Sequence, residues 1–184
     1  MVMKLAFSAK AGSGKSEAMK IIQEYLPGNQ IINVKFADDL YEIMYMVQDH
    51  LGIKRHKDGK FLQLIGTSWG REIDENIWVN RFKDKVDKIS KENPKAVVVC
   101  DDVRMVNEFF CAQNEGFTMI RINRDLDLRK TSLVGRDINH PSETQQDLIP
   151  NESFDYLIDN NGSKQNLRRQ LQNIIYNETY DYRN

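Results

Sequence analysis

The sequence has few of the features that mark secreted, membrane or nucleic-acid-binding proteins. Its two cysteines, Cys100 and Cys111, form neither a metal-type motif nor a disulfide framework. The 26 basic residues are balanced by 27 acidic ones, whereas a general nucleic-acid binder carries a basic excess. No apolar run approaches a membrane span, and the one near the start is too short for a signal peptide. We therefore expect a cytoplasmic protein whose partners are neither nucleic acids nor membranes.

Apolar runs alternate with amphipathic segments along the chain. The predicted strands are residues 4–9, 30–37, 95–100, 117–123 and 154–159. The predicted helices are residues 15–26, a segment opened by Asp38 and Asp39, residues 60–73, a segment N-capped by Asp74, and residues 104–115 and 164–177. This alternation predicts an α/β fold, a three-layer αβα sandwich with a five-stranded parallel sheet. We expect residues 1–184 to form one domain.

Residues 9–16, "AKAGSGKS", match the phosphate-loop pattern, with Ala9 in place of its first glycine. Small residues let backbone N–H groups surround phosphate oxygens, and the following helix adds its positive end. Lys15 can reach the β- and γ-phosphates, and the Ser16 hydroxyl can bind Mg²⁺. The alternative is an ordinary glycine-rich turn. The candidate ATP-binding residues of this loop are Lys10, Ala11, Gly12, Ser13, Gly14, Lys15 and Ser16.

Two acidic residues, Asp101 and Asp102, follow the apolar run "AVVVC". Phosphate-loop proteins commonly use an acidic residue at the end of a neighbouring strand to hold the metal shell. Either aspartate could orient a water molecule of Mg²⁺, and the residues alone do not divide the role between them. The alternative is that they cap a helix starting near Arg104.

Several arginines suggest what receives the phosphate. A guanidinium group suits phosphate oxygens and transition-state charge, so Arg71 and Arg104 could bind an acceptor phosphate. Arg124 and Arg136 lie in or beside a polar region that could close as a lid, whereas Arg121 and Arg129 are expected to be solvated surface charges. An acceptor that is a phosphate monoester is mostly dianionic near neutral pH and needs no strong general base.

Six segments in this order resemble the phage- and virus-type deoxynucleoside monophosphate kinases, over most of the chain. The segments are "FSAKAGSGKSE", "VKFADDLYE", "LQLIGTSWGREIDENIWVNRF", "VVVCDDVRMVNEFF", "INHPSET" and "FDYLIDNNGSKQNLRRQL". The resemblance implies a nucleoside monophosphate kinase-like fold and the conversion of dNMPs to dNDPs with ATP and Mg²⁺. It also implies an acceptor-binding insertion at about residues 38–90 and a lid at about residues 125–150.

The residue chemistry above and the resemblance together predict roles residue by residue. Lys15, Arg71, Arg104, Arg124 and Arg136 would be catalytic, and Asn161 would join the ATP-binding loop. Ser16, Asp101 and Asp102 would hold the metal. The implied acceptor-binding residues are Asp38, Arg71, Trp78, Asp102, Arg104 and Glu143. Two of these also suit structural roles, Asp38 as a helix N-cap and Trp78 on the apolar stripe of a helix.

Other interpretations remain open from the residues. Animal-type phosphomevalonate kinases share the arrangement and also phosphorylate a phosphomonoester. A nucleotide-binding switch module that hydrolyses little ATP is a candidate of another class, although it would need neither a second set of arginines nor a lid. The family resemblance allows a homodimer, and it implies the host cytoplasm as the location if the chain is viral.

Overall fold

The chain forms a parallel sheet with helices on both faces, as predicted. The computed structural model describes residues 2–133 and 140–181, without the side chains of residues 142 and 181. The strands are β1 Met3–Ser8, β2 Ile31–Asn33, β3 Val97–Val103, β4 Thr118–Asn123 and β5 Tyr156–Asp159. They are arranged in the order β2-β3-β1-β4-β5, and every pair is parallel. The carboxyl ends of all five strands therefore meet at one edge, where α/β proteins bind their ligands.

The helices connect these strands. They are α1 Lys15–Tyr25, α2 Asp38–His50, α3 Gly59–Gln63, α4 Gly70–Ile73, α5 Ile77–Glu92, α6 Val106–Asn114, α7 Leu126–Arg129, α8 Pro141–Thr144 and α9 Lys164–Asp181. A π-helical turn, Leu64–Trp69, joins α3 to α4, and short 3-10 turns are found at Lys130–Ser132, Gln145–Leu148 and Asn151–Ser153. In these described ranges no helix is long and apolar enough to cross a membrane.

Each face of the sheet has its own hydrophobic core. Leu5 and Phe7 of β1 point into the core covered by α1 and α9. Ala6, between them, faces the core that contains Phe82 of α5 and Phe109 of α6. Alternate residues of a strand point to opposite faces, so the buried pattern of β1 reflects helices on both sides. This packing fixes β1 at the centre of the sheet, with the phosphate loop at its carboxyl end.

Strand boundaries differ from the prediction at two places. The run 30–37 forms sheet pairs only over Ile31–Asn33, because the backbone N–H groups of Phe36 and Ala37 donate to a side chain of β3. The third strand, predicted to end at residue 100, continues to Val103. Asp101 and Asp102 therefore lie on the strand itself, near its carboxyl end.

One helical prediction is confirmed and another needs correction. The predicted helical segment 60–73 is helical throughout, with α3 and α4 joined by the π-helical turn. A Cβ atom on Gly70 would lie 2.7 Å from the Trp78 ring, so a glycine is required where this segment packs on α5. Asp74 does not cap α5, because that helix begins at Ile77 after an N-cap at Asn76. Asp74 instead accepts a hydrogen bond from the backbone N–H of Asn76.

Candidate active site

The phosphate loop joins β1 to α1 at the centre of the sheet edge. Gly12 and Gly14 have φ angles of 78° and 104°, a left-handed conformation that glycine adopts without steric cost. Lys15, the first residue of α1, donates from Nζ to the Ala9 carbonyl at 2.5 Å. The loop thus encloses a lysine ammonium group at the amino end of a helix, an arrangement that suits phosphate.

The electrostatic surroundings of Lys15 also suit an anion. The pKa of its ammonium group is lowered from 10.5 to about 8, mainly by burial and secondarily by the positive charge of Arg104. The carboxylates of Glu143, Asp102 and Asp101 act in the opposite direction. Positive charge at Lys15 is therefore costly without an anionic partner, and a bound phosphate would supply one.

The two aspartates of β3 face the loop that follows β2. The Asp102 carboxylate accepts hydrogen bonds from the backbone N–H groups of Phe36 and Ala37, both at 3.0 Å, and burial raises the pKa of Asp102. Asp101 pairs with Lys35 at 3.2 Å. Neither carboxylate caps α6. Asp102 fixes the entrance to α2, while Asp101 remains closer to solvent.

The donor set beside the loop fits a magnesium ion. Ser16 presents an exposed hydroxyl in the first turn of α1, and both β3 carboxylates are near enough to Lys15 to influence its pKa. Mg²⁺ prefers such hard oxygen ligands and retains several waters. Within the described ranges, no three His, Cys, Asp or Glu side chains form a metal cluster. An ion here would therefore take most of its ligands from phosphate and water.

Arg71 and Arg104 come from distant parts of the chain and meet at one buried carboxylate. Arg71 donates from Nη2 to Oε1 of Glu108 at 2.6 Å. The other oxygen of Glu108 accepts from the backbone N–H groups of Arg104 at 2.8 Å and Met105 at 3.0 Å. Burial and the charge of Asp102 raise the pKa of Glu108, whereas Arg71 lowers it. Glu108 thus joins α4, which carries Arg71, to the turn that carries Arg104.

Glu143 of α8 connects these arginines to the phosphate loop. Its Oε1 accepts from Nη1 of Arg104 at 2.8 Å, and its Oε2 accepts from the Ala11 backbone N–H at 3.0 Å. The side chain of Glu143 is buried. Arg71, Glu108, Arg104, Glu143 and Ala11 therefore form one continuous chain of contacts beside Lys15, so the structure brings the predicted donor and acceptor residues together.

The segment after β4 lies against the same loop. Arg124 donates from Nη1 to the Gly12 carbonyl at 3.4 Å. Arg129 of α7 donates to the Ala11 carbonyl at 3.1 Å and to the Arg124 carbonyl at 3.0 Å. A Cβ atom on Gly12 would lie 2.8 Å from Cβ of Ser132. Arg136, predicted to be catalytic, lies outside the described residues.

The expectation that Arg121 and Arg129 are solvated surface charges is wrong. Arg129 is only 9% exposed, because its guanidinium is occupied by carbonyls of the loop and of its own segment. Arg121 donates to the carbonyls of Gln146 at 2.6 Å and Ile149 at 2.8 Å. Arg121 therefore holds residues 146–149 to β4, and Arg129 holds α7 to the phosphate loop.

Three further residues predicted to bind ligand have structural contacts. Trp78 is 3% exposed, and its indole nitrogen donates to the Gly66 carbonyl at 2.9 Å, so it supports the π-helical turn from the core. Asp38, the first residue of α2, accepts from the Lys35 backbone N–H at 2.8 Å. Asn161 accepts from the backbone N–H of Asp125 at 2.8 Å, which ties the loop after β5 to the segment after β4.

Two site residues were missed in the sequence. Asn160, the neighbour of Asn161, donates from Nδ2 to the Ser13 carbonyl at 2.8 Å and packs against Gly14. Glu108 lies within the segment "VVVCDDVRMVNEFF", but no role is predicted for it from the sequence. Its position three residues after the N-cap Met105 has the spacing at which a glutamate reaches back to a helix start. No sequence pattern of this kind indicates that Asn160, and not Asn161, contacts the phosphate loop.

The fold is one that phosphate-loop kinases share. The structure superposes on shikimate kinase from Acinetobacter baumannii in complex with shikimate, with a TM-score of 0.53, 13% identity and coverage of 96% of this chain and 94% of that one. It superposes similarly on the Mycobacterium tuberculosis APS kinase CysC, with a TM-score of 0.54, 10% identity and 95% coverage of both chains. Identities this low establish the fold alone.

The sequence identifies the family. The model of the deoxynucleotide monophosphate kinase family matches residues 1–171, so the chain belongs to this family, and the resemblance drawn from its motifs is confirmed. A protein of Acanthamoeba polyphaga mimivirus, assigned provisionally as a deoxynucleotide monophosphate kinase, is 26% identical over 190 residues, covering 90% of this chain and 92% of the relative. The protein is a phosphotransferase that acts on a nucleotide monophosphate.

Proposed function

We propose that the protein transfers the γ-phosphate of ATP to the phosphate of a deoxynucleoside monophosphate, with Mg²⁺ as the metal, giving a dNDP and ADP. The phosphate loop would bind the donor. The acceptor phosphate would bind on the side of the loop where Arg71 and Arg104 lie. Membership of the deoxynucleotide monophosphate kinase family supports this choice of acceptor.

One observation carries the proposal: the chain of contacts from Arg71 through Glu108, Arg104 and Glu143 to the Ala11 backbone N–H. It joins a second cationic site directly to the phosphate loop. A nucleotide-binding switch needs only the loop, whereas a kinase must hold two anions side by side. The guanidinium of Arg104, near the buried ammonium of Lys15, and that of Arg71 beyond Glu108 can offset the repulsion between donor and acceptor phosphates.

The reaction needs positioning and charge neutralisation more than proton transfer. An oxygen of the acceptor phosphate attacks the γ-phosphorus, and the bond to the oxygen bridging the β- and γ-phosphates breaks as ADP leaves. The attacking phosphate is mostly dianionic above its second pKa, near about 6, so no side chain has to remove a proton. Lys15 and the two arginines would hold the phosphates in line and stabilise the charge that spreads over the transferred group.

The metal would be held by the hydroxyl of Ser16 and, through water, by Asp101. When bound, Mg²⁺ would supply positive charge that neutralises part of the charge of the donor phosphates. Each oxygen of the Asp102 carboxylate accepts a hydrogen bond from a backbone N–H group, one from Phe36 and the other from Ala37. We therefore assign it the task of fixing the β2–α2 junction, with its negative charge contributing to the metal site from a distance.

The remaining predicted residues retain their roles as proposals. Glu143 would border the acceptor phosphate, Asp38 would line the acceptor side from α2, and Trp78 would act through the π-helical turn. Arg124 and the segment of about residues 125–150 would act as a lid that excludes water from the transferred phosphate. The contacts of Arg124 and Arg129 with loop carbonyls support such a lid. Arg136 is part of this proposal from its sequence position alone.

A coupled ADP-release assay with ATP and Mg²⁺ tests the proposal. The acceptors are dGMP, dTMP, dCMP and dAMP, their ribonucleotide counterparts, and mevalonate 5-phosphate. We expect ATP turnover to depend on a deoxynucleoside monophosphate and the products to be ADP and the matching dNDP.

Other outcomes identify the alternatives. Turnover with mevalonate 5-phosphate alone would show that the acceptor is phosphomevalonate and not a nucleotide. The reaction would still be phosphate transfer from ATP to a phosphomonoester. ATP turnover that no acceptor changes would contradict a kinase function and favour the switch module. Turnover with the ribonucleoside monophosphates alone would show that the acceptor carries ribose and not deoxyribose.

A further inference from the structure

We propose that Glu108 is a positioning residue that sets Arg71 for the acceptor phosphate. This inference rests on the proposed function, because it names how one acceptor arginine is held. Glu108 would not touch substrate. Its buried carboxylate would fix the guanidinium of Arg71 relative to the turn that carries Arg104, so that both arginines address the same phosphate.

The contacts of Glu108 divide between its two oxygens. One oxygen accepts only from Arg71 among the contacts described, at 2.6 Å. The other accepts from the backbone N–H groups of Arg104 and Met105 and so belongs to the start of α6. Glu108 is only 4% exposed to solvent. A long arginine side chain loses much conformational freedom when it is held in this way, and that loss is then not incurred on ligand binding.

Glu108 and Glu143 are both carboxylates on acceptor arginines, but they are attached differently. Glu108 contacts the turn only three and four residues before it, and its place is fixed by the packing of α6 against α5 and β4. Glu143 contacts Ala11 and Arg104, which are 132 and 39 residues away in sequence. A movement of α8 would release Glu143 from Arg104, whereas Glu108 would stay with Arg71. An incoming phosphate would therefore take over the Arg104 contact of Glu143, which would remain at the border of the acceptor site, and would leave Glu108 in place.

The substitution Glu108→Gln separates helix capping from arginine positioning. The amide oxygen can still accept from the two backbone N–H groups. The amide nitrogen then faces Arg71, and both groups are donors only. We expect the start of α6 to persist and Arg71 to lose its fixed partner.

Steady-state kinetics with the deoxynucleoside monophosphate that supports turnover measures the effect. In Glu108→Gln we expect the KM for this acceptor to rise at least about ten-fold, which corresponds to about 1.4 kcal/mol. The KM for ATP should stay within about two-fold, because the loop contacts are unchanged. Glu178→Gln is the matched control: Glu178 accepts from the hydroxyls of Thr118 and Tyr156, at the amino ends of β4 and β5. It should leave both KM values unchanged.

A double-mutant cycle with Arg71→Ala tests whether Glu108 acts through Arg71. Once Arg71 is absent, adding Glu108→Gln should not raise the acceptor KM further. The double variant should also melt at a higher temperature than Arg71→Ala, because a neutral amide replaces a buried carboxylate that has lost its cation. This melting comparison uses Arg71→Ala as its reference, so it decides the pairing even if Glu108→Gln alone folds poorly.

The outcomes separate this inference from the proposed function. Acceptor-dependent turnover in the wild type with an unchanged acceptor KM in Glu108→Gln would overturn the inference alone. Additive effects on the acceptor KM in the cycle would also overturn it. If the wild type shows no acceptor-dependent turnover, the proposed function fails. The melting comparison would then still show whether the buried charge of Glu108 depends on Arg71.

Discussion

The carboxylate of Glu143 accepts a hydrogen bond from the backbone N–H of Ala11 at 3.0 Å, inside the phosphate loop. The same carboxylate pairs with Arg104 at 2.8 Å. A side chain of the protein thus supplies the negative charge that the loop and the arginine are suited to bind. The contact joins α8 to the loop, and a phosphate that uses these donors has to displace it.

Glu143→Gln should therefore strengthen the binding of simple phosphates. Removing the competing charge frees the Ala11 N–H and the Arg104 guanidinium for the ligand, and we expect the Kd of inorganic pyrophosphate to fall about three- to ten-fold. Isothermal titration calorimetry without metal measures this directly. Glu152→Gln, at an exposed position in the 3-10 turn Asn151–Ser153, is the control and should not change the Kd. Weaker pyrophosphate binding in Glu143→Gln would show that Glu143 does not compete with phosphate.

Lys15→Met should abolish turnover and yet stabilise the folded protein at neutral pH. The pKa of Lys15 is about 8 in the fold and 10.5 without burial, so the unfolded chain binds this proton more tightly. The cost of the buried charge is fully present below pH 8 and disappears as the pH rises towards 10.5, so the free energy of unfolding increases over that interval. At pH 7 we expect the methionine to add on the order of 1–3 kcal/mol.

Thermal melts of wild type and Lys15→Met at pH 7 and pH 10 check this expectation. The difference in Tm should be largest at pH 7 and smaller at pH 10. Lys20→Met, at an exposed position of the same helix, should change the Tm little at either pH. A lower Tm for Lys15→Met at pH 7 would mean that the contact with the Ala9 carbonyl outweighs desolvation.

Asn160→Ala should impair ATP binding more than Asn161→Ala. Asn160 donates to the Ser13 carbonyl of the phosphate loop, whereas Asn161 contacts the backbone of Asp125. Loss of a buried hydrogen bond to the loop should raise the KM for ATP about three- to ten-fold and leave the acceptor KM nearly unchanged. The two neighbouring alanine variants control for each other in one assay. A larger effect of Asn161→Ala would support the sequence-based prediction that Asn161, and not Asn160, contributes to ATP binding.

Trp78→Phe should lower stability and weaken acceptor binding together. The substitution leaves the buried carbonyl of Gly66 without the indole donor, at a cost of about 1–3 kcal/mol. The segment that carries Arg71 packs on this ring, so we also expect a higher KM for the acceptor. Trp69→Phe is the control, because Trp69 is 53% exposed, and its Tm should match the wild type. A lower Tm with an unchanged acceptor KM would show that Trp78 contributes to stability but not to acceptor binding.

The sequence predicted the loop and the sheet well for a physical reason. Continuous apolar runs such as residues 97–100 are buried on both faces, and such strands occur in parallel sheets. The phosphate loop is a local motif whose glycines have the left-handed backbone that its pattern predicts. Both signals are confined to a few neighbouring residues, so they can be read without knowing the rest of the fold.

The errors occur where long-range contacts replace local ones. The second strand is short because Asp102, 65 and 66 residues away in sequence, takes the N–H groups of Ala37 and Phe36. Arg121 and Arg129 look like surface charges until carbonyls from other segments surround them. The helical segment predicted over residues 60–73 contains a π-helical turn that its pattern did not predict, near which Gly66 packs against Leu40 and Gly70 against Trp78. Most of these partners belong to other elements of the fold.

The amino-acid sequence by itself determined that this is a phosphate-loop protein with a parallel sheet, because apolar periodicity and a glycine-rich turn act over short distances. Only the tertiary structure decided how the charges are paired. Which carboxylate holds which arginine depends on the crossing of strands and helices that bring Glu108 to Arg71 and Glu143 to Ala11, and no local pattern encodes those distances.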